Sequence, residues 1–195
     1  MINKFLPKFS IFFVLFLFLA NIYTAEAKLP SLCGIEAFTG FAKAKLRDKG
    51  NYFLAPLIVD LNFDLKPSFE KIGLYTPGMC QFQLEPFISA VYSPENNVEI
   101  GNSFMLKVGI LPETSVVQPY AKIGVGLLYM TQHTDEQGTQ FNFLEQGCIG
   151  AHYYFTKKMA LTGECRFRHV SNSGIGDPNK GINSLFFLLG IAYRY

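Results

Sequence analysis

The chain has 195 residues, a net charge of +2, 20 Phe and 10 Tyr but no Trp. That length fits one domain, and so small a charge gives no argument for nucleic-acid binding, which needs a strongly basic face. Hydrophobic residues reach 49%, yet no stretch after the N-terminal segment is long and apolar enough for a spanning helix.

The first element reads "MINKFLPKFSIFFVLFLFLANIYTAEAKLP". Lys4 and Lys8 precede an apolar run from Ile11 to Ala20, and Ala25-Glu26-Ala27 follows. A basic start, an apolar middle and an A-x-A end mark residues 1–27 as a secretory signal peptide cleaved before Lys28. The apolar run falls short of the roughly 20 residues an anchor helix needs. Residues 28–195 then form one exported domain.

Eight alternating segments come next, over 34–46, 52–65, 81–93, 98–111, 117–131, 141–155, 159–171 and 182–195. Soluble strands usually have about 5–6 residues, whereas a tilted membrane strand needs about 9–11; most of these are long. Side chains alternate across a strand, so the faces can be read directly. In the third, Phe82, Leu84, Ile88 and Tyr92 alternate with Gln81, Gln83, Glu85 and Ser89. In the fourth, Phe104, Leu106, Val108 and Ile110 oppose Glu99, Ser103 and Lys107; in the fifth, Ile123, Val125, Leu127 and Tyr129 oppose Lys122, Gly124 and Gly126. The last strand carries Leu185, Phe187, Leu189, Ile191, Tyr193 and Tyr195 on one face.

One face is large and apolar; the other holds charge and small residues. Long strands, flanking Tyr residues, a terminal aromatic and an even count favour a closed barrel in lipid over a soluble sandwich. The expected fold is therefore all-β: an eight-stranded antiparallel transmembrane β-barrel of the outer membrane of a Gram-negative bacterium. Its lumen is filled by side chains, with Asp60, Asp64, Glu85, Glu99, Lys107, Lys122, Glu164, Arg166, Arg168 and Arg194 inside as paired charges. A soluble lipocalin-like barrel would instead need an apolar lumen. With both termini in the periplasm, the connections 132–140 and 172–182 lie on the cell surface, as do the turns near 47–51 and 94–97.

The cysteines are Cys33, Cys80, Cys148 and Cys165, without a C-x-x-C pair, which argues against zinc. Cys33 and Cys80 both fall at the periplasmic rim, where a disulfide is permitted. Cys148 and Cys165 face opposite ways and should not pair.

The seventh strand carries the chemistry. Met159, Leu161, Gly163, Cys165, Phe167, His169 and Ser171 share the outward face; Glu164, Arg166 and Arg168 share the other. His169 and Ser171 lie about 6.6 Å apart along the strand, and a hydroxyl beside an imidazole is the minimum for an activated nucleophile. Asn183 has the outward parity of Leu185, so three polar groups meet on the wall. Polar residues at that height otherwise mark the strand end where membrane meets water.

The stretch Arg168-His169-Val170-Ser171-Asn172, then Gly174, Pro178-Asn179, Gly181-Ile182 and Ser184, resembles the lipid A 3-O-deacylase family of outer-membrane barrels. The resemblance implies hydrolysis of one ester-linked acyl chain of lipid A in lipopolysaccharide, at the 3-O position. It implies Ser171 as nucleophile, His169 as general base, Asn172 with the Gly174 amide as oxyanion hole, and an active face toward the outer leaflet. Neither a metal nor a cofactor is needed. The sequence departs from the family at Asn183, which stands where a glutamate orients the histidine; Glu145, outward near the end of the sixth strand, is the alternative acid. A non-catalytic outer-membrane barrel of the same fold, structural or surface-interacting, is the rival reading. Self-association into a homodimer is left open.

Overall fold

The computed structural model describes residues 30–47 and 49–195. The signal peptide expected over residues 1–27 lies outside the described residues. Eight strands run β1 (Leu32–Leu46), β2 (Gly50–Asp64), β3 (Cys80–Ser93), β4 (Asn97–Gly109), β5 (Val117–Met130), β6 (Phe141–Tyr154), β7 (Met159–Ser171) and β8 (Ile182–Arg194). Each pairs antiparallel with the next, and β8 pairs back onto β1, so the sheet closes into a barrel. Closure removes every edge strand, which lets a β-structure sit in lipid.

The expected strands stand within two residues at each end. One element escaped the alternation: a short helix, α1 (Lys66–Lys71), in the connection between β2 and β3. Pro67 in its first turn has a φ already suited to a helix, and Gly73, with φ 80°, ends it. The connections divide by end. The β1–β2 turn and residues 94–96, 131–140 and 172–181 lie at one rim, here called the loop rim; the start of β1 at Leu32, the C-terminal Tyr195 and the other three connections lie at the opposite, terminal rim.

The outer wall is apolar, with Phe41, Leu57, Ile88, Ile100, Phe104, Ile123, Ile149, Phe167 and Leu189 exposed. Phe53, Tyr92, Tyr129 and Phe141 ring the wall toward the loop rim, and Tyr153, Phe155, Tyr193 and Tyr195 toward the terminal rim. Exposed apolar bands bounded by aromatics are what a bilayer solvates.

Inside, the lumen has two parts. One is an ion-pair network. Lys107 binds Glu36 at 2.5 Å, Lys122 bridges Asp60 and Glu164 at 2.7 and 2.5 Å, and Arg166 joins Glu85 and Glu164. Arg168 grips Glu99 with both Nη atoms at 2.8 and 3.1 Å, and Tyr52 donates to the same carboxylate at 2.7 Å. The other part is an apolar cluster that includes Ala42, Leu46, Leu54, Leu128, Leu144, Val170 and Ile182. The lumen face expected to hold charge and small residues also carries this apolar cluster, which is interleaved toward the loop rim with Tyr52, Glu99 and Arg168. The expected place of Asp64 and Arg194 inside the lumen is corrected. Both are only half-buried; Asp64 accepts from the Lys66 amide, and Arg194 donates to the Lys157 and Glu113 carbonyls.

All four cysteines are free thiols. The Cys33–Cys80 bridge that the sequence permits fails on topology, because β2 lies between β1 and β3. Two strand spacings put the Cα atoms about 9.5 Å apart, beyond the roughly 6.8 Å limit of a disulfide. Cys33 Sγ instead accepts from Gln81 Nε2 at 3.3 Å.

Candidate active site

Strand β7 fixes the site through its inward residues. Arg168 is held by Glu99 and lies 4.7 Å from the centre of the Phe186 ring. Val170 is 1% exposed in the apolar cluster. With these two anchored in the lumen, the period of two drives His169 and Ser171 onto the outer wall. Ile182, buried in the same cluster, sets Asn183 outward in the same way.

The register brings three polar residues into one row across the wall. Glu145 of β6 lies opposite His169, and His169 lies opposite Asn183 of β8. Cβ atoms of opposed residues are about 4.5–5.5 Å apart. His169 Nδ1 meets Asn183 Oδ1 at 2.6 Å. An amide oxygen only accepts, so Nδ1 carries the proton and Nε2 is left as the basic nitrogen. Ser171 lies two residues further toward the loop rim, on the same face, opposite Phe143. Phe141 packs edge-on against Phe143, with ring centroids 5.6 Å apart, and makes an aromatic wall beside Ser171.

The loop that follows is tied together by Asn172, which is fully buried. Its Nδ2 donates to the Gly176 and Pro178 carbonyls at 2.8 and 3.2 Å, and its Oδ1 accepts from the Gly174 N–H at 2.9 Å. This corrects the oxyanion hole expected from Asn172 and Gly174: both donors already face protein acceptors inside the loop. Asn172 has the inward parity of Val170, which the sequence already showed. The structure offers Asn179 instead. Its Oδ1 accepts from the Asn172 N–H at 3.0 Å, which orients the carboxamide. Asn179 is exposed, and its Nδ2 has no protein acceptor among the described residues.

Gly181 completes the site from below the imidazole. Its φ is +76°, and a Cβ there would lie 2.5 Å from His169 Cε1. Only glycine satisfies both the left-handed backbone and the close approach of the ring. Among the described residues, the three carboxylates close enough to hold a metal are Glu36, Asp60 and Glu164, and Lys107 and Lys122 already neutralise them. A polar cavity of about 130 Å³, lined by Cys33, Glu36, Cys80 and His152, opens at the terminal rim, away from His169 and Ser171.

The arrangement can perform nucleophilic acyl transfer at the wall of the barrel. It holds a hydroxyl, an imidazole with a defined tautomer, a carboxylate across the strand pair and an outward amide donor.

The family model described as lipid A 3-O-deacylase (PagL) matches residues 58–192. Among solved structures, the outer membrane enzyme PagL is similar at TM-score 0.57 and 15% identity, covering 80% of this chain and 97% of that one. Neisserial surface protein A is similar at TM-score 0.60 and 15% identity, covering 86% of this chain and all of the other. At such identities the likeness is one of fold, that of the outer-membrane barrels. No curated protein sequence matches the chain.

Proposed function

This chain belongs to the lipid A 3-O-deacylase (PagL) family, and from that premise we propose that it is an outer-membrane serine esterase that removes an acyl chain from lipid A. The observation that carries the reading is the 2.6 Å bond from His169 Nδ1 to Asn183 Oδ1, made on the outer wall with Ser171 on the same face. A core or rim histidine has no need of that partner.

In the first half-reaction Ser171 Oγ attacks the ester carbonyl while His169 Nε2 takes its proton. The tetrahedral oxyanion is met by Asn179 Nδ2. His169 then returns the proton to the sugar oxygen as the C–O bond breaks, leaving an acyl-serine. Water, activated by the same imidazole, releases the fatty acid and restores Ser171. A preorganised donor at an oxyanion is worth about 2.7–4 kcal/mol.

The imidazolium formed midway needs a partner with negative charge. Asn183 cannot supply it, but Glu145 faces His169 from the other neighbouring strand. The two roles thus fall to two strands, with Asn183 fixing the tautomer and Glu145 supplying the charge. All of these residues come from one chain, so the reading requires no homodimer. The substrate arrives by lateral diffusion in the outer leaflet, with its acyl chain along Phe143, Phe167 and Leu185.

The test is mass spectrometry of lipid A from a Gram-negative host that makes either the wild-type protein or Ser171→Ala. The wild type should remove one hydroxyacyl chain, by family analogy the 3-O chain, and Ser171→Ala should remove none. Unaltered lipid A with a folded, membrane-inserted wild type would favour the rival reading, a non-catalytic barrel, which the missing glutamate at Asn183 supports.

A further inference from the structure

We propose that Lys43 and Lys45 form a phosphate-binding strip beside the ester-cleaving residues, taking the phosphate carried by the same sugar as the scissile ester. The inference rests on the deacylase reading. It starts from the closure of the barrel, which brings the first strand to the last.

In the β1–β8 register Lys43 lies opposite Leu185 and Ala44 opposite Ser184. One residue further, the same register sets Lys45 beside Asn183. Lys43 and Lys45 are both exposed on the outer wall. The row across the wall therefore reads Glu145, His169, Asn183, Lys45 over strands β6, β7, β8 and β1, with Lys43 one step toward the membrane centre.

Neither lysine has an acidic partner among the described residues. On the β2 side they face Asn51 and Phe53, and Lys43 Nζ lies 5.6 Å from the Phe53 ring centre. The neighbouring Lys49 is already paired with Glu95 at 3.7 Å, and Arg168 is locked in the lumen by Glu99. Among the described residues Lys43 and Lys45 are thus unpaired cations, held at the aromatic girdle where a headgroup lies.

The geometry suits one substrate. Strands β7 and β1 are two spacings apart, about 10 Å, and a lysine side chain spans much of that distance. An ester on Ser171 and an anion at Lys45 would be separated by about a sugar ring. Lipid A is a phosphorylated sugar lipid, so it presents both groups on one rigid ring. A point-charge ammonium suits a phosphate that must slide in laterally and leave again.

The experiment uses the full-length Ser171→Ala protein in zwitterionic detergent micelles. Its affinity is measured by fluorescence titration for phosphorylated lipid A, for enzymatically dephosphorylated lipid A and for phosphatidylglycerol. At about fivefold per engaged lysine, phosphorylated lipid A should bind about 5- to 30-fold more tightly than the dephosphorylated form. Adding Lys43→Gln and Lys45→Gln should collapse that ratio toward one, and Lys43→Arg with Lys45→Arg should keep it. A ratio that survives the glutamine pair overturns the proposal. So does phosphatidylglycerol binding as tightly as lipid A, which would make the strip a general anionic surface. Wild-type protein that fails to release acyl chains, with the lysine-dependent ratio intact, would overturn the deacylase reading and leave the phosphate strip standing.

Discussion

At the scale of single residues, Asn183 decides how good a catalyst this chain can be. In a serine protease, changing the orienting Asp to Asn lowers turnover about 10⁴-fold, largely because the amide selects the wrong imidazole tautomer. Here the amide oxygen faces Nδ1, so the tautomer is the useful one and the deficit is the missing charge. Asn183→Glu should therefore raise the rate of acyl release by about 10- to 100-fold, well below that ceiling. Glu145→Gln should lower the wild-type rate by a similar factor and have a much smaller effect once Asn183→Glu supplies the charge. Initial rates for the four combinations form a double-mutant cycle that measures the coupling. Additive effects would remove Glu145 from the mechanism. The outward positions of His169, Ser171 and Asn183 were legible from parity and spacing, whereas the departure at Asn183 is what the family resemblance implies. Asn179 was not, because nothing local shows that Asn172 turns its amide into the loop while Asn179 leaves one outside.

At the scale of the strand, β7 works as a ruler with its marks on the inside. The lumen side of Arg166, Arg168 and Val170 sets where His169 and Ser171 emerge. Glu99→Ala leaves Arg168 buried without its carboxylate and should destabilise the barrel by about 3–5 kcal/mol. Urea unfolding in detergent, followed by the gel shift of the folded form, reads this directly. Glu99→Leu with Arg168→Met should lose much less than the sum of the single changes, since an apolar pair of similar volume can replace a buried ion pair. A double variant as unstable as Glu99→Ala would mean that the pair stabilises the fold outright. Strand bounds were readable from the sequence because alternation over 13 to 15 residues is a strong signal. The six-residue α1 carries too little periodicity to show. The apolar cluster of the lumen was hidden for a different reason. Leu128, Leu144, Val170 and Ile182 share parity with the charges along the sequence, but only closure shows that residues from separate strands gather into one cluster.

At the scale of the whole molecule, the remaining question is which rim faces the cell exterior. Loop length alone does not answer it, since the terminal rim carries the connection 65–79 with α1, longer than any connection at the loop rim. The proposed deacylase activity supplies an expectation. His169, Ser171 and Asn183 lie toward the loop rim on the wall of the barrel, and lipid A occupies only the outer leaflet. A deacylase with its loop rim in the periplasm would face phospholipid and never meet its substrate. The start of β1 and the C-terminal Tyr195 at the other rim agree with a chain that enters the membrane from the periplasm. Ile175 in the β7–β8 connection and Ile72 beside α1 are exposed at opposite rims. In a background without the four native cysteines, Ile175→Cys should react on intact cells with a maleimide too bulky to cross the outer membrane. Ile72→Cys should react only after that membrane is opened. The reverse pattern would put the catalytic row at the inner leaflet, and neither the deacylase reading nor a lipid A phosphate at Lys43 and Lys45 could then stand, whatever the geometry of His169 and Asn183.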